Sequence, residues 1–177
     1  MTTPNTTAER LSKVTHLYYG SHKPDSQMCI MEAVAYVAGE GWTDMPLCVS
    51  PVISAYCRGL NDDMPEDQRQ RLLPYIPRLI GTVDKDKEQR RLYLLVDYAV
   101  RVFAPLALEE IDKPELLKQA RILRALQPIT SGEDAQAAIH AAAAARAAAH
   151  AAAHAAAHVA AHAAAHAAAA AYDAYSA

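Results

Sequence analysis

The sequence predicts an all-α protein, with a compact multi-helix body at residues 1–130 and one long alanine-rich C-terminal helix at residues 131–177. Three observations predict this fold class. Apolar residues recur three and four positions apart along most of the body, which is the spacing of one helix face. No stretch alternates cleanly with the period of two that a half-buried strand requires. From residue 135 the chain is mostly alanine, the best helix former, and no glycine or proline interrupts it before Tyr175.

Start and stop signals divide the first half of the body into helices. Residues 8–19 have helical spacing, although the VTHLYY segment within them equally fits a strand. A helix MCIMEAVAYVA, capped by Asp25 or Ser26, is expected to end at Gly39. Ser50 is expected to cap the helix PVISAYCRGL, whose first residue is a proline that loses no hydrogen bond there.

Prolines and acidic residues divide the second half of the body. Two prolines break RLLPYIPRLIG into short helical pieces. Asp84 begins the strongest helix, which Pro105 kinks or restarts. Asp112 is expected to cap the following helix, PELLKQARILRAL. The strongest helix is expected to bury one apolar face, formed by Leu92, Leu95, Val96, Ala99, Val102 and Phe103.

Composition argues against several classes of partner. The formal net charge is −3, and basic and acidic residues are interleaved, whereas a nucleic-acid-binding protein usually carries a basic stripe. The alanine run does not favour a membrane span, because a histidine at every fourth position is costly in hydrocarbon. Three cysteines without tight spacing, and an N-terminus without a signal-peptide pattern, predict a cytoplasmic protein with reduced thiols.

The tail is predicted to extend beyond the body. Ser131 provides a helix start, and about 44 helical residues at 1.5 Å each would form a rod of roughly 65 Å. A body of this size has a diameter of roughly 35–40 Å. A straight tail helix would therefore overhang the body by a third or more of its length.

Histidines at every fourth position are the most distinctive pattern of the tail. Two imidazoles four residues apart on a helix face the same way and can share Zn²⁺, Ni²⁺ or Cu²⁺. Each step of four residues turns the series 40° further around the helix, so a closed site would need ligands from a second chain. The candidate metal ligands are His150, His154, His158, His162 and His166.

Three interpretations of the tail remain open at this point. The HAAA units can be a tolerated repeat expansion. The small, smooth alanine face can pack on another helix, in a second copy or in a protein partner. The histidines can bind a metal.

A second candidate cluster lies in the body, at His22, Cys29 and Cys48. These residue types could bind zinc or build a thiol enzyme, but their spacing matches no metal signature. Free cysteines in helices usually act as small hydrophobic residues, so we favour a structural role for them. Glu32, within the same apolar helix, is interpreted as a capping or salt-bridging residue rather than a general base.

A pattern of residues between about 20 and 130 resembles that of a known group of proteins. The residues that carry the resemblance are His22, Met28, Cys29, Met31, Glu32, Ala33, Ala38, Gly39, Glu40, Trp42, Asp44, Pro46, Cys48, Pro51, Val52, Asn61, Asp62, Arg69, Gln70, Arg71, Leu72, Leu73, Pro74, Pro77, Gly81 and Thr82. With them the chain resembles a group of small uncharacterised proteins from actinobacteria and their phages, which also end in alanine-rich tails. The resemblance implies a bacterial or phage cytoplasmic protein and implies no activity. The histidines of the tail depart from the group, where Asp, Arg or Trp is expected.

These observations favour a non-enzymatic protein. We expect the C-terminal helix to mediate self-association or the binding of a protein partner, without a cofactor. The first alternative is a metal-binding protein that uses the tail histidines, and the second is an enzyme built around Cys29, Cys48 and His22. No nucleic acid, membrane or small-molecule substrate is indicated.

Overall fold

The computed structural model describes residues 6–20 and 27–152, and all regular structure in these ranges is helical. This confirms the predicted all-α class. The chain divides into two compact units, one up to Glu88 and one from Gln89 onward. The predicted division at residue 130 stays a prediction, because most of the alanine–histidine tail lies outside the described residues. No helix in the described ranges has the length and hydropathy of a membrane span.

The first unit is built around one buried helix. Its helical segments are α1 (Thr7–Leu11), α2 (Ile30–Ala38), α3 (Pro51–Asp63), α4 (Glu66–Arg69), a 3₁₀ segment (Gln70–Tyr75) and α5 (Ile76–Leu79). Helix α2 packs against α1, α3 and α5, so it occupies the centre of the unit. The largest fully buried side chains of this core are Leu17, Ile30, Met31, Val34, Val37 and Ile76.

The N-terminus of α2 differs from the predicted one. The predicted caps, Asp25 and Ser26, lie outside the described residues, and the helix begins at Ile30 with Cys29 as its N-cap. The Cys29 N–H donates to a Glu32 carboxylate oxygen at 2.8 Å, so Glu32 has the capping role interpreted from the sequence. Gly39 ends the helix as predicted, with φ of 80°, a left-handed conformation that favours glycine.

The first helix is shorter than the predicted range 8–19. It ends at Leu11, and the following residues run without regular structure toward Gly20. The backbone of this segment bonds to side chains from other elements. Gln70 accepts from the Leu17 N–H at 2.8 Å and donates to the Leu17 carbonyl at 2.9 Å. The partner of Leu17 is 53 residues away in sequence, so the local apolar spacing could not predict this arrangement.

Other boundaries in the first unit agree with the sequence. Ser50 caps α3 by accepting from the Ile53 N–H at 3.3 Å, and Pro51 occupies the first helical position. The Ser50 hydroxyl also donates to Glu88. The segment with two prolines forms short helical pieces that end before Gly81, whose φ is 77°.

The second unit contains the longest continuous helical run of the body. Its elements are the end of α6 (Lys85–Tyr98), a π-helical segment (Ala99–Phe103), α7 (Ala104–Glu110), α8 (Pro114–Arg124) and α9 (Gly132–Ala152). The Ala104 N–H bonds to the Ala99 carbonyl, which is the i to i−5 bond of a π-helix. Pro105 has no N–H to donate to the carbonyl four residues before it, so the helix continues past the proline by widening one turn.

The junctions of α8 follow a different geometry from the predicted one. Asp112 was expected to cap α8, but it ends the preceding turn with φ of 51°, and Lys113 is the N-cap. Asparagine and aspartate tolerate this left-handed conformation better than most residues. Before α9, Ser131 acts as predicted, since its hydroxyl accepts from the Asp134 N–H at 3.1 Å.

Candidate functional site

The structure describes the first part of the alanine-rich helix and only the beginning of the histidine series. Helix α9 carries position 150 near its described end, while His154, His158, His162 and His166 lie outside the described residues. The metal site predicted from these histidines therefore stays a prediction. Within the described ranges, no three His, Cys, Asp or Glu side chains are grouped closely enough to hold a metal ion.

Two residues of the predicted body cluster are described, and His22 lies outside the described residues. Cys29 belongs to the buried core of the first unit and is 3% exposed. Burial raises the pKa of its thiol to about 12. A thiol with such a pKa is protonated at neutral pH, and the thiolate is the form that attacks or binds metals. Its environment is that of a small hydrophobic residue, the role that we favour from the sequence.

Cys48 packs against the same core but has its own hydrogen-bonding partners. Its N–H donates to a Glu40 carboxylate oxygen at 2.8 Å, and the second oxygen of Glu40 accepts from the Leu47 N–H at 2.7 Å. Burial raises the pKa of the Cys48 thiol, and the nearby Glu40 carboxylate adds to the rise. Glu40 thus holds the end of the loop that leaves α2.

Helix α9 is anchored to the second unit through alanines. Ala138 and Ala145 are 2% and 4% exposed and lie in one core with Leu116, Ala120 and Leu123 of α8. They are two turns apart on one face, so alanine allows α9 to lie close to α8 along this length. The side chains of Ile139, His140 and Arg146 on α9 are exposed.

A second surface of the second unit was not expected from the sequence. One face of α6, the π-helical segment and α7 carries four large apolar side chains that are 42–53% exposed. We call this set the exposed stripe; its members are Leu94, Tyr98, Phe103 and Leu106. The rings of Tyr98 and Phe103 contact each other, with centroids 6.2 Å apart.

The π-helical segment explains why Phe103 lies on this face. In an uninterrupted α-helix, Tyr98 would be aligned with Val102, one turn of 3.6 residues later. The wider turn instead aligns residues five apart, which brings Phe103 next to Tyr98. The prediction that Phe103 belongs to the buried face is therefore wrong, whereas Val96 and Ala99 are buried as predicted. The sequence does contain a signal for the exposed stripe, since the apolar residues at positions 94, 98 and 106 lie outside the expected buried face.

Comparisons with protein-family models, with curated proteins and with solved structures give no match for this chain. The resemblance to actinobacterial and actinophage proteins therefore stays a prediction.

Proposed function

We propose that this is a non-enzymatic helical protein whose C-terminal alanine–histidine helix mediates self-association or the binding of a protein partner. The observation that carries the proposal is the anchoring of α9 by Ala138 and Ala145 against α8. Packing against α8 orders the described part of α9, up to Ala152, before any partner binds. A surface that is already ordered avoids the ordering cost that a flexible segment incurs on association.

The two sides of α9 support the same proposal. The alanines that face α8 are used within the unit, whereas Ile139 is exposed together with Gln136, His140 and Arg146. Ile139 is 44% exposed, which is a large apolar side chain to leave in water. Small side chains around a larger apolar one allow a second helix to approach closely.

Light scattering on the full chain and on a truncation after Ala152 tests the proposal. This truncation keeps Ala138 and Ala145, whereas truncation after Thr130 would remove buried side chains of the second core. We expect the full chain to have the larger association state. Equal masses would contradict self-association through residues 153–177, the part of the tail that the truncation removes.

The same measurement separates helix packing from metal binding. Both chains are measured with zinc and with a chelator, and a full-length variant with the five tail histidines changed to glutamine serves as the control. An association state that needs zinc and the histidines would replace the proposal with the metal-binding alternative. Association that is unchanged in the glutamine variant supports packing through the alanine face.

A further inference from the structure

The exposed stripe continues at both ends into charged side chains. Arg90 lies four residues before Leu94, and Glu110 lies four residues after Leu106, so both are on the same helix face as the stripe. Both side chains are exposed. One face of about 30 Å therefore begins with a cation, carries four large apolar side chains and ends with an anion.

The charged and apolar residues of this face are arranged so that the face complements a second, antiparallel copy of itself. Arg90 and Glu110 are equally far in sequence from position 100, and so are Leu94 and Leu106. Tyr98 and Phe103 flank the same position, and the wider π-helical turn brings their rings into contact. A 180° rotation about an axis perpendicular to the helix at Val100 generates a second, antiparallel copy of the stripe. The basic end of each copy then faces the acidic end of the other, and apolar residues face apolar residues.

We propose that the exposed stripe is a docking surface for a second copy of this chain, packed antiparallel about a two-fold axis near position 100. In this dimer Leu94 lies opposite Leu106 of the other copy, and Tyr98 lies opposite Phe103. Arg90 of each copy lies opposite Glu110 of the other copy. Two-fold interfaces use one patch twice, so a patch must complement itself, as this one does.

The charges of Arg90 and Glu110 favour antiparallel packing of the two copies over parallel packing. Parallel packing of two copies would place Arg90 beside Arg90 and Glu110 beside Glu110, and like-charge contacts of this kind select against a wrong orientation. Antiparallel helices also place opposite ends of their dipoles side by side. A different partner would not require the symmetric spacing about position 100.

The dimer uses a different surface from the tail. Its residues lie between positions 90 and 110, and none of them belongs to the alanine–histidine segment. Failure of the tail proposal would leave this one intact, because the variants that test the stripe change no residue of the tail.

Sedimentation equilibrium on the full chain at low salt tests the charge pairing. The variants are Arg90→Glu, Glu110→Arg and the double variant that exchanges both charges. We expect each single variant to raise the dissociation constant of the dimer about tenfold, since two attractive pairs become repulsive. The double variant should return to within about twofold of the wild type. Lys118→Glu, which reverses the charge of an exposed residue on α8, is the control and should leave the dissociation constant unchanged.

Tyr98→Glu tests the apolar part of the surface. Because Tyr98 is 53% exposed, this variant should keep the helical circular dichroism of the wild type while losing the dimer. A wild type that is monomeric at every accessible concentration would overturn the proposal. Single charge reversals without effect, or a double variant as weak as the single ones, would overturn it as well.

Discussion

Asn61 connects three backbone segments of the first unit. It is fully buried, and its side-chain oxygen accepts from the Ile30 N–H at 3.1 Å, at the first turn of α2. Its amide nitrogen donates to the Tyr18 carbonyl at 2.9 Å. The backbone carbonyl of Asn61 accepts from Nε of the buried Arg69 side chain at 2.6 Å. One amide side chain therefore satisfies a helix start and the irregular segment after α1, which are groups that cost free energy when left unpaired.

We expect Asn61→Ala to lower the free energy of unfolding by about 2–4 kcal/mol, because the Ile30 N–H and the Tyr18 carbonyl lose their buried partner. Urea denaturation followed by circular dichroism measures the change. Gln68→Ala removes an exposed amide from the same region and should cost less than about 0.5 kcal/mol. Equal costs for the two variants would contradict the role assigned to Asn61.

The buried thiol of Cys29 predicts a loss of stability in alkali. The pKa of this thiol is raised to about 12 by burial, whereas an unfolded cysteine ionises near pH 8.5–9. The folded state therefore holds a proton that the unfolded state releases. This contribution to the unfolding free energy is fully present below the unfolded pKa and falls as pH rises toward the folded one.

Cys29→Ala should therefore reduce the dependence of stability on alkaline pH. The comparison uses urea midpoints of wild type and variant at about pH 8 and about pH 10, which lie on either side of the unfolded pKa. The wild type should lose more stability than the variant between the two values. The same loss in both proteins would show that another group causes the alkaline effect.

At the scale of helices, α2 ends at a glycine that lies against α1. The Glu40 N–H bonds to the Ala35 carbonyl at 3.0 Å, and the Gly39 N–H bonds to the Tyr36 carbonyl at 3.2 Å, which together form a Schellman motif. A Cβ added at Gly39 would lie 3.0 Å from a terminal guanidinium nitrogen of Arg10. That guanidinium also donates from Nε to the Val37 carbonyl at 3.1 Å.

Gly39→Ala and Gly81→Ala form a matched pair of tests for this contact. Both positions have a left-handed φ, 80° and 77°, but no atom lies within 4 Å of a Cβ at Gly81. The strain of a left-handed alanine should cost about 1–2 kcal/mol at each site. Thermal denaturation should show the larger loss for Gly39→Ala, because Arg10 must also move. A larger loss for Gly81→Ala would contradict this account.

Helix boundaries set by local chemistry could be predicted from the sequence, and those set by distant partners could not. Ser50, Gly39 and Ser131 act through neighbours within five residues, so their roles follow from the pattern alone. The irregular segment after α1 is bound at Leu17 by Gln70, which is 53 residues away in sequence. No local pattern contains that information.

The candidate surfaces also divide into one that local sequence predicts and one that depends on the folded chain. The helical character of the alanine segment up to Ala152 agrees with its composition, as expected from propensity. A constant helical period does not predict the complete exposed stripe, because it places Phe103 on the buried face. The sequence indicates that Pro105 disturbs the helix, but the wider turn, which moves Phe103 from the expected buried face to the exposed face, depends on the hydrogen-bond pattern of the folded chain.

At the scale of the whole molecule, the described residues contain two hydrophobic cores without a common member. The first core is formed by side chains between Leu17 and Leu79, and the second by side chains between Val96 and Ala145. Each core surrounds residues with no exposed surface, such as Ile76 in the first and Leu123 in the second. Separate cores are the physical basis for separate stability.

Hydrogen exchange on two core variants tests this independence. Ile76→Ala and Leu123→Ala should each cost about 2–5 kcal/mol. We expect the first variant to reduce the protection of amides in α2 and leave α8 unchanged, and the second to do the reverse. Equal loss of protection in both helices from either variant would mean that the chain unfolds as one cooperative unit.

The alanine contact between α9 and α8 has a consequence for how the chain can change in length. The contact depends on small side chains at Ala138 and Ala145, and alanine also occupies positions 141–144. Insertion of one HAAA unit after Ala142 would shift every later residue by four positions, yet alanine would still occupy positions 145 and 148. The contact between α8 and α9 therefore does not depend on the number of HAAA units. The repeat can gain or lose whole units while alanines of α9 still pack against α8.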